Sequence, residues 1–302
     1  MSSVFHSGEL TVQQLAGEAR AAEMNGKIIR DSIPPVAASF LQNQSMAIVG
    51  SLDEERSVWC SLITGPLGFI QVPDEHTVLI QQSPGHDSPD PLFRNVRHNR
   101  EVGMLAIELK NRRRMRVNGT AQLTDAGLRI SPEQVYANCP KYIQARVPLA
   151  QELGGSTSAL VEHGRALTMN QIEWVRRADT FFIASASAED KVDASHRGGS
   201  PGFIRVDSPT HLVFPDYFGN SMFNTLGNIH ANPRSGLLFI DFQTTDTLQI
   251  TGRAQIIWDP VEKGKFPGAE RLVSFEVEEV IQMKNDRPAE WQLISYSPFN
   301  PE

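Results

Sequence analysis

Short apolar segments recur along the chain and are separated by clusters of Gly, Pro, Asn and Asp. Short runs rich in Val, Ile and Leu, bounded by turn residues, are typical of β-strands. Five or six such strands in each half of the chain indicate a small barrel in each half. The predicted strands cover residues 46–50, 68–72, 77–81, 102–109, 115–123, 181–185, 203–206, 212–214, 236–242, 248–257 and 271–282.

Helical patterns lie before and between these strands. Residues 9–30 are rich in alanine and have apolar side chains at helical spacing, which predicts an N-terminal helix, and a second helix is expected at 34–42. Two capping-box sequences, Ser-Pro-Glu-Gln and Thr-Met-Asn-Gln, predict helices over 131–146 and 168–177. The glycine- and serine-rich residues 154–158 are predicted to form a linker.

The two halves of the chain repeat one another. The sequence GPLGFIQV at 65–72 returns as GSPGFIRV at 199–206, which is 134 residues later. Residues 99–123 align with 232–256 without a gap at an offset of 133, and identical glycines, asparagines and a glutamine fall in step. Chance similarity between apolar strands does not produce such polar matches, so we infer an internal duplication.

The repeat sets the predicted domains. Residues 1–34 form an N-terminal helical arm, 35–155 a first barrel with a trailing helix, and 156–302 a second barrel. The predicted fold is therefore mainly β with flanking helices, arranged as two tandem barrels.

The second repeat resembles a known family. The strings at 192–206, 212–242 and 248–256 contain a GN-x-x-x-NTL loop, NPR, LLFIDF and TGRA. Together they resemble the FMN-binding split barrel of pyridoxamine 5′-phosphate oxidase-related proteins. That resemblance implies two tandem FMN-binding-type split β-barrels, with FMN bound between barrels. It also implies a homodimer as the common assembly, or an intrachain pseudo-dimer formed by the two copies.

Candidate cofactor ligands cluster in the second repeat. The FMN phosphate requires cations, hydroxyl groups and free backbone N–H groups. The resemblance puts residues 224 and 225 where the family has a phosphate-binding Arg-Lys pair, but Asn224 and Thr225 are neutral, so Arg197 would supply most of the positive charge. The alternative for each candidate is an ordinary turn-forming or solvent-facing role. The candidates are Ser195, His196, Arg197, Asp216, Tyr217, Asn220, Ser221, Asn224, Thr225 and Gln249.

The first repeat lacks most of this chemistry, since Ile63 stands where the second repeat has Arg197. Its arginine-rich turn allows Arg114 or Arg116 to reach a phosphate across the interface between the barrels, or else to remain solvated. Lys141 belongs to a Cys-x-Lys segment that resembles a family helix, and it either assists anion binding or faces solvent.

Composition narrows the function classes. The net charge of −7 argues against non-specific nucleic-acid binding. The two cysteines form neither a disulfide framework nor a CxxC pair, and no histidine spacing indicates a metal site. Neither a signal sequence nor a long apolar run is evident, so we expect a cytoplasmic protein without a membrane segment.

These observations favour an FMN-binding flavoprotein that acts as an oxidoreductase on a small molecule, with an electron donor and a substrate that the sequence does not identify. No catalytic residue is assigned. One alternative is a non-catalytic flavin or haem binding protein linked to stress. Another is a degenerate split barrel with no cofactor.

Overall fold

The structure is a computed structural model, and it describes residues 3–81, 89–149, 158–285 and 290–301. Residues 154–157 of the predicted linker lie outside these ranges. The helices are α1 (Ser7–Leu15), α2 (Ala19–Gly26), α3 (Pro35–Gln42), α4 (Leu92–His98), α5 (Met169–Arg177), α6 (Asn224–Ala231) and α7 (Pro260–Lys263). The strands are β1 (Met46–Leu52), β2 (Val58–Thr64), β3 (Ile70–Asp74), β4 (Thr77–Ile80), β5 (Glu101–Glu108), β6 (Arg113–Thr124), β7 (Gly127–Asn138), β8 (Ala145–Pro148), β9 (Ser158–Gly164), β10 (Thr180–Ala186), β11 (Val192–Gly198), β12 (Arg205–Ser208), β13 (His211–Tyr217), β14 (Arg234–Ile240), β15 (Thr247–Ile257), β16 (Ala269–Asn285) and β17 (Trp291–Ser295).

The two repeats have the same sheet topology. The first sheet has the order β2-β1-β5-β6-β7-β4-β3, and the second has the order β11-β10-β14-β15-β16-β13-β12. Each strand of the second sheet is nine strands later in the chain than the strand at the same place in the first sheet, so the strands correspond one to one. This confirms the predicted architecture of two tandem split barrels. Strand β9 extends the second sheet by pairing with β16, and β8 pairs with β17 near the C-terminus.

The helix predicted over 131–146 is wrong, and with it the trailing helix of the first domain. Residues 131–138 belong to β7, which pairs antiparallel along nearly the whole of β6, and residues 139–144 form no helix. Leu128, Ile130 and Val135 of this strand are buried in the first barrel. Long-range pairing and burial therefore override a local capping-box signal. The Thr-Met-Asn-Gln capping box does begin a helix, because Thr168 accepts a hydrogen bond from the backbone N–H of Gln171 at the start of α5.

The N-terminal arm consists of two helices, α1 and α2, rather than one. The break falls at Gly17, whose φ of +72° lies in the left-handed region that glycine adopts readily. Helix α1 packs on α6 of the second barrel. After α2 the chain reaches β7, where the backbone of Arg30 pairs with that of Val135. The arm therefore bridges both barrels.

A third hydrophobic core joins the two barrels, in addition to one core inside each. It contains Ile48, Cys60 and Leu105 of the first barrel and Phe182 and Leu238 of the second. The burial of large apolar side chains from both copies stabilises their association. The two repeats thus pack against each other as an intrachain pseudo-dimer.

Two equivalent glycines allow this close approach. A Cβ atom on Gly103 would lie 2.5 Å from the Cα of Asp193, and one on Gly236 would lie 2.4 Å from the backbone oxygen of Val58. Both distances are too short for a side chain. The identity of these two positions in the repeats therefore follows from backbone contact between the barrels.

Candidate functional site

A cleft lies between the two barrels, at the face covered by the N-terminal arm. The first barrel contributes β6 and the segment that follows β7, and the second contributes β11, the end of β13, the loop before α6 and the start of β16. The cavity has a volume of about 100 Å³. The charged and hydroxyl side chains that line it include Arg114, Arg116, Lys141, Ser195, Arg197, Asp216, Thr225 and Arg271.

Arg116 connects the two barrels at the inner end of the cleft. Its Nη2 donates a hydrogen bond to the Ser195 hydroxyl, and its Nη1 donates to the amide oxygen of Asn224 at 3.0 Å. The carboxylate of Asp193 lies 3.1 Å from Nη1. The Ser195 hydroxyl in turn shares a 2.6 Å hydrogen bond with the hydroxyl of Thr225. The guanidinium group, two hydroxyls and an amide thus meet at one point, which is the set of groups that binds an oxyanion.

Arg114 lies beside Arg116 and donates a hydrogen bond to Nδ1 of His196 at 3.0 Å. Burial lowers the pKa of Arg114 to about 9, and the positive charges of Arg116 and Arg197 add to this effect. Arg114 and Arg116 are two residues apart on β6, so their side chains lie on the same face of the strand. This places the two positive charges close together. An anion in the cleft would relieve the repulsion.

His196 is neutral in this environment. Burial, followed by the charges of Arg114 and Arg197, holds its pKa well below the ordinary value. A guanidinium only donates hydrogen bonds, so Nδ1 of His196 accepts and the ring proton lies on Nε2. That Nε2 is buried and has no hydrogen-bond partner.

Arg197 and Arg271 lie on either side of Asp216. Arg197 donates to Oδ1 of Asp216 at 2.7 Å, and Nε of Arg271 lies 3.3 Å from Oδ2. The Nε of Arg197 and the Nη1 of Arg271 are buried without a hydrogen-bond partner. Because buried donors rarely remain unpaired, these groups indicate space for an additional acceptor.

The loop before α6 is held by the N-terminal arm. Ser221 and Phe223 have φ values of 61° and 60°, a conformation that non-glycine residues seldom adopt. Asn25 of α2 donates to the backbone oxygen of Asn220 at 2.7 Å, and Gln13 of α1 donates to that of Met222 at 2.9 Å. The arm therefore fixes the loop that carries the second-barrel hydroxyls and amides.

Glu9 of α1 reaches the inner end of the cleft. It is 5% exposed and accepts hydrogen bonds from the side chain of Asn224 at 2.6 Å and from the backbone N–H of His6 at 2.8 Å. Burial raises the pKa of Glu9 to about 7, although the two hydrogen bonds and the charge of Arg116 oppose the rise.

Aromatic residues lie at the mouth of the cleft. The rings of Tyr142 and Tyr217 are 5.0 Å apart, and the ammonium group of Lys141 lies 4.6 Å from the centre of the Phe218 ring. No helix forms at residues 139–142, so the predicted Cys-x-Lys helix is wrong, although Lys141 does line the cleft.

Twelve of the thirteen candidate residues come together here. They are Ser195, His196, Arg197, Asp216, Tyr217, Asn220, Ser221, Asn224, Thr225, Arg114, Arg116 and Lys141. Gln249 does not join them. It is buried on the opposite side of the interface, where its amide donates to Asp90 at 2.9 Å and to Ser61 at 3.2 Å.

Sequence reasoning missed Arg271, Glu9 and Asp193. The available signal for Arg271 was a basic residue at the start of a predicted strand. Glu9 and Asp193 gave no local signal, because their importance depends on how the arm and the two barrels pack.

Two further findings concern the described residues. No three His, Cys, Asp or Glu side chains there are grouped closely enough to hold a metal ion. Within the same ranges, no helix has both the length and the apolar character needed to span a bilayer.

The fold and the cleft define a class of protein: a tandem split barrel with a cationic cleft between its copies. The family model described as pyridoxamine 5′-phosphate oxidase matches residues 33–153 and again residues 167–290. The chain therefore belongs to the pyridoxamine 5′-phosphate oxidase family. Comparison with curated proteins gives no match.

Three solved structures that are similar to this chain each cover about two fifths of it. HupZ of Group A Streptococcus is 13% identical over 41% of this chain and 98% of its own, with a TM-score of 0.33. A Clostridium acetobutylicum protein related to general stress protein 26 is 10% identical over 40% and 90%, with a TM-score of 0.30. An FMN-binding protein from Syntrophomonas wolfei is 9% identical over 37% and 84%, with a TM-score of 0.27.

Proposed function

We propose that the cleft binds FMN and that the protein is a flavin-dependent oxidoreductase acting on a small molecule. The observation that carries the proposal is the meeting of the Arg114, Arg116 and Arg197 guanidinium groups with the Ser195 hydroxyl in one buried cleft. A phosphate dianion is the complement of such a cluster. Family membership adds the expectation of a flavin.

The donor set fits a phosphate. Arg116, Ser195 and Thr225 would bind it at the inner end of the cleft. The unpaired Nε–H of His196 and the free donors of Arg197 and Arg271 supply additional hydrogen bonds for an anionic or polar ligand. Asp193 balances one of the positive charges, so the cluster retains a net positive charge for the ligand.

The aromatic mouth fits the apolar part of a flavin. Tyr142 and Tyr217 offer ring faces for contact with an isoalloxazine, and Lys141 is close enough to supply a positive charge nearby. When bound, FMN would supply the hydride and electron chemistry. The protein's own part is to hold the phosphate, orient the ring and exclude water from its buried edge.

The volume of the cleft helps to decide between an FMN-binding protein and a split barrel with no cofactor. Sites for drug-sized ligands usually enclose roughly 300–1,000 Å³, whereas this cavity has about 100 Å³. A phosphate fits that space, and binding of the whole flavin would require side chains at the mouth of the cleft to move. The small volume is the observation that favours the alternative of a split barrel with no cofactor.

The pairing of the two copies within one chain would replace the homodimer that is common in the family.

We also propose a cytoplasmic location. Cys60 and Cys139 are both unpaired, which supports it.

A titration tests the proposal. The purified chain is titrated with FMN while flavin fluorescence and the visible spectrum are recorded, and the bound flavin is then mixed with NADH, NADPH or oxygen. Saturable quenching followed by reduction and reoxidation supports the oxidoreductase. Bound flavin that none of these reagents reduces or oxidises favours a non-catalytic carrier. Absence of binding, with haem tested in parallel, favours the empty barrel or a haem protein.

A further inference from the structure

The duplication creates a second interface site that is equivalent to the cleft. Arg116 corresponds to Gln249 at an offset of 133, and Ser195 corresponds to Ser61 at an offset of 134. In the cleft, Arg116 of the first barrel donates to Ser195 of the second. At the opposite site, Gln249 of the second barrel donates to Ser61 of the first. The same strand-to-strand contact therefore occurs twice.

The second site has lost the positive charges. Besides Gln249, the residue that corresponds to Arg114 is Thr247, and the residue that corresponds to Arg197 is Ile63. The guanidinium groups of Arg114, Arg116 and Arg197 are thus replaced by neutral side chains. A doubly charged phosphate would meet no cation among these positions.

A carboxylate of the protein takes the hydrogen bonds that a ligand anion would accept. Asp90 accepts from the Ser61 hydroxyl at 2.7 Å, from the backbone N–H of Leu92 at 2.9 Å and from the Gln249 amide at 2.9 Å. The hydroxyl and the side chain from the opposite barrel have direct counterparts in the Ser195 hydroxyl and the Arg116 side chain of the cleft. A bound ligand and Asp90 would compete for the Ser61 and Gln249 donors.

Apolar side chains stand at the second site where the cleft has polar groups. The strand registers pair Arg116 with Tyr136 and Gln249 with Ile281, and likewise Arg114 with Asn138 and Thr247 with Met283. Ile281 and Met283 pack with Trp59, which is the equivalent of Asp193. Three polar groups of the cleft, Tyr136, Asn138 and Asp193, are therefore replaced by a hydrophobic cluster.

We infer that each chain binds one anionic cofactor, in the cleft, and that Asp90 and the Trp59–Ile281–Met283 cluster close the equivalent site permanently. The first barrel then contributes Arg114 and Arg116 to the ligand site of the second barrel. The inference rests on the proposed function only for the identity of the ligand, because the asymmetry concerns any phosphate-bearing molecule.

A matched pair of variants tests the inference. Ser195→Ala and Ser61→Ala remove equivalent hydroxyls from the two sites, and both full-length proteins are checked for an unchanged circular dichroism spectrum. We expect the unmodified chain to bind one FMN per chain. Ser195→Ala should weaken FMN binding at least fivefold, and Ser61→Ala should change it less than twofold. Two FMN per chain, or equal losses from the two variants, would overturn the inference.

Inorganic phosphate separates this inference from the flavin proposal. If FMN does not bind, the flavin proposal fails. The inference still holds if phosphate raises the Tm of the unmodified chain and of Ser61→Ala but not that of Ser195→Ala. If phosphate stabilises none of the three proteins, or stabilises Ser195→Ala as much as the unmodified chain, the inference fails as well.

Discussion

Arg116 on a strand of the first barrel donates a hydrogen bond to Ser195 on a strand of the second barrel. Asp193, two residues before Ser195, pairs with the same guanidinium group at 3.1 Å. Both ends of this ion pair are buried. The candidate site is therefore a product of the packing of the two repeats, and neither barrel contains it alone.

The buried pair makes a prediction about stability. Arg116→Gln leaves Asp193 buried without its cation, and Asp193→Asn leaves Arg116 without its anion. Since an isolated buried charge is costly, each single variant should lower the free energy of unfolding by about 3 kcal/mol. The double variant should lose less than the sum. Urea denaturation measures all three.

The exposed pair Lys265–Glu262 provides the control, because its loss should cost less than about 1 kcal/mol. Additive losses at Arg116 and Asp193 would show that the two side chains do not interact as described.

Because the pKa of Arg114 is lowered, we expect FMN binding to weaken at alkaline pH. Its pKa in the free protein is about 9 because of burial and its cationic neighbours. Above that pH the guanidinium loses its charge, and its attraction for a phosphate falls. We therefore expect the Kd for FMN to be constant from pH 7 to 8.5 and to rise several-fold by pH 10. Fluorescence titrations across this range measure the change.

Arg114→Ala should weaken binding at pH 7.5 and remove the alkaline rise. Arg177→Ala, on an exposed turn of α5, should do neither. An identical pH profile in Arg114→Ala would exclude Arg114 as the titrating group.

Because Glu9 is buried, we expect the free energy of unfolding to decrease as the pH rises. Its pKa is about 7 in the folded chain against an ordinary value of 4.5. The folded state therefore binds more protons than the unfolded state between these values, so stability decreases as pH rises from 4.5 to 7. The decrease is up to about 3 kcal/mol, at 1.36 kcal/mol for each pH unit.

Glu9→Gln, which does not titrate, should reduce the loss of Tm between pH 5 and pH 8 relative to the unmodified chain. Glu23→Gln on α2 is the matched exposed control. Parallel Tm profiles for the unmodified chain and Glu9→Gln would refute the assignment.

The contact between α1 and α6 predicts how the arm can be released. A Cβ on Gly227 would lie 2.5 Å from the Cα of Glu9, so Gly227→Ala should displace α1. We expect faster amide hydrogen exchange in α1 and weaker FMN binding, because the arm fixes the loop before α6. In Gly264→Ala, the new Cβ would lie 3.4 Å from its nearest neighbour, and exchange in α1 should be unchanged. Unchanged protection of α1 in Gly227→Ala would contradict the described packing.

The repeat was the part of the fold that the sequence predicted best. Residues such as Gly103 and Gly236 match because the backbone contacts between the barrels exclude a side chain at both positions. The helix over 131–146 could not be rejected locally, since Ser131 and Gln134 form a good capping box by sequence. Only pairing with β6 determines that residues 131–138 form a strand.

The candidate site was predictable where its residues lie close together along the chain, as in β11 and the loop before α6. Gln249 illustrates the limit. Its strand is the counterpart of the one that carries Arg116, but the two strands face opposite interface sites. The two repeat offsets relate Gln249 to Ser61 in the same way as Arg116 to Ser195. To assign Gln249 to the second site, however, one must also know how the two barrels are placed relative to each other.

The most direct test of the central claim is a crystal structure of the full chain grown with FMN. The account predicts one flavin per chain, with its phosphate within hydrogen-bond distance of Arg116 and Ser195 and its ring beside Tyr142 or Tyr217. A flavin bound against Ser61 and Asp90, or a cleft that holds no flavin at saturating FMN, would contradict it.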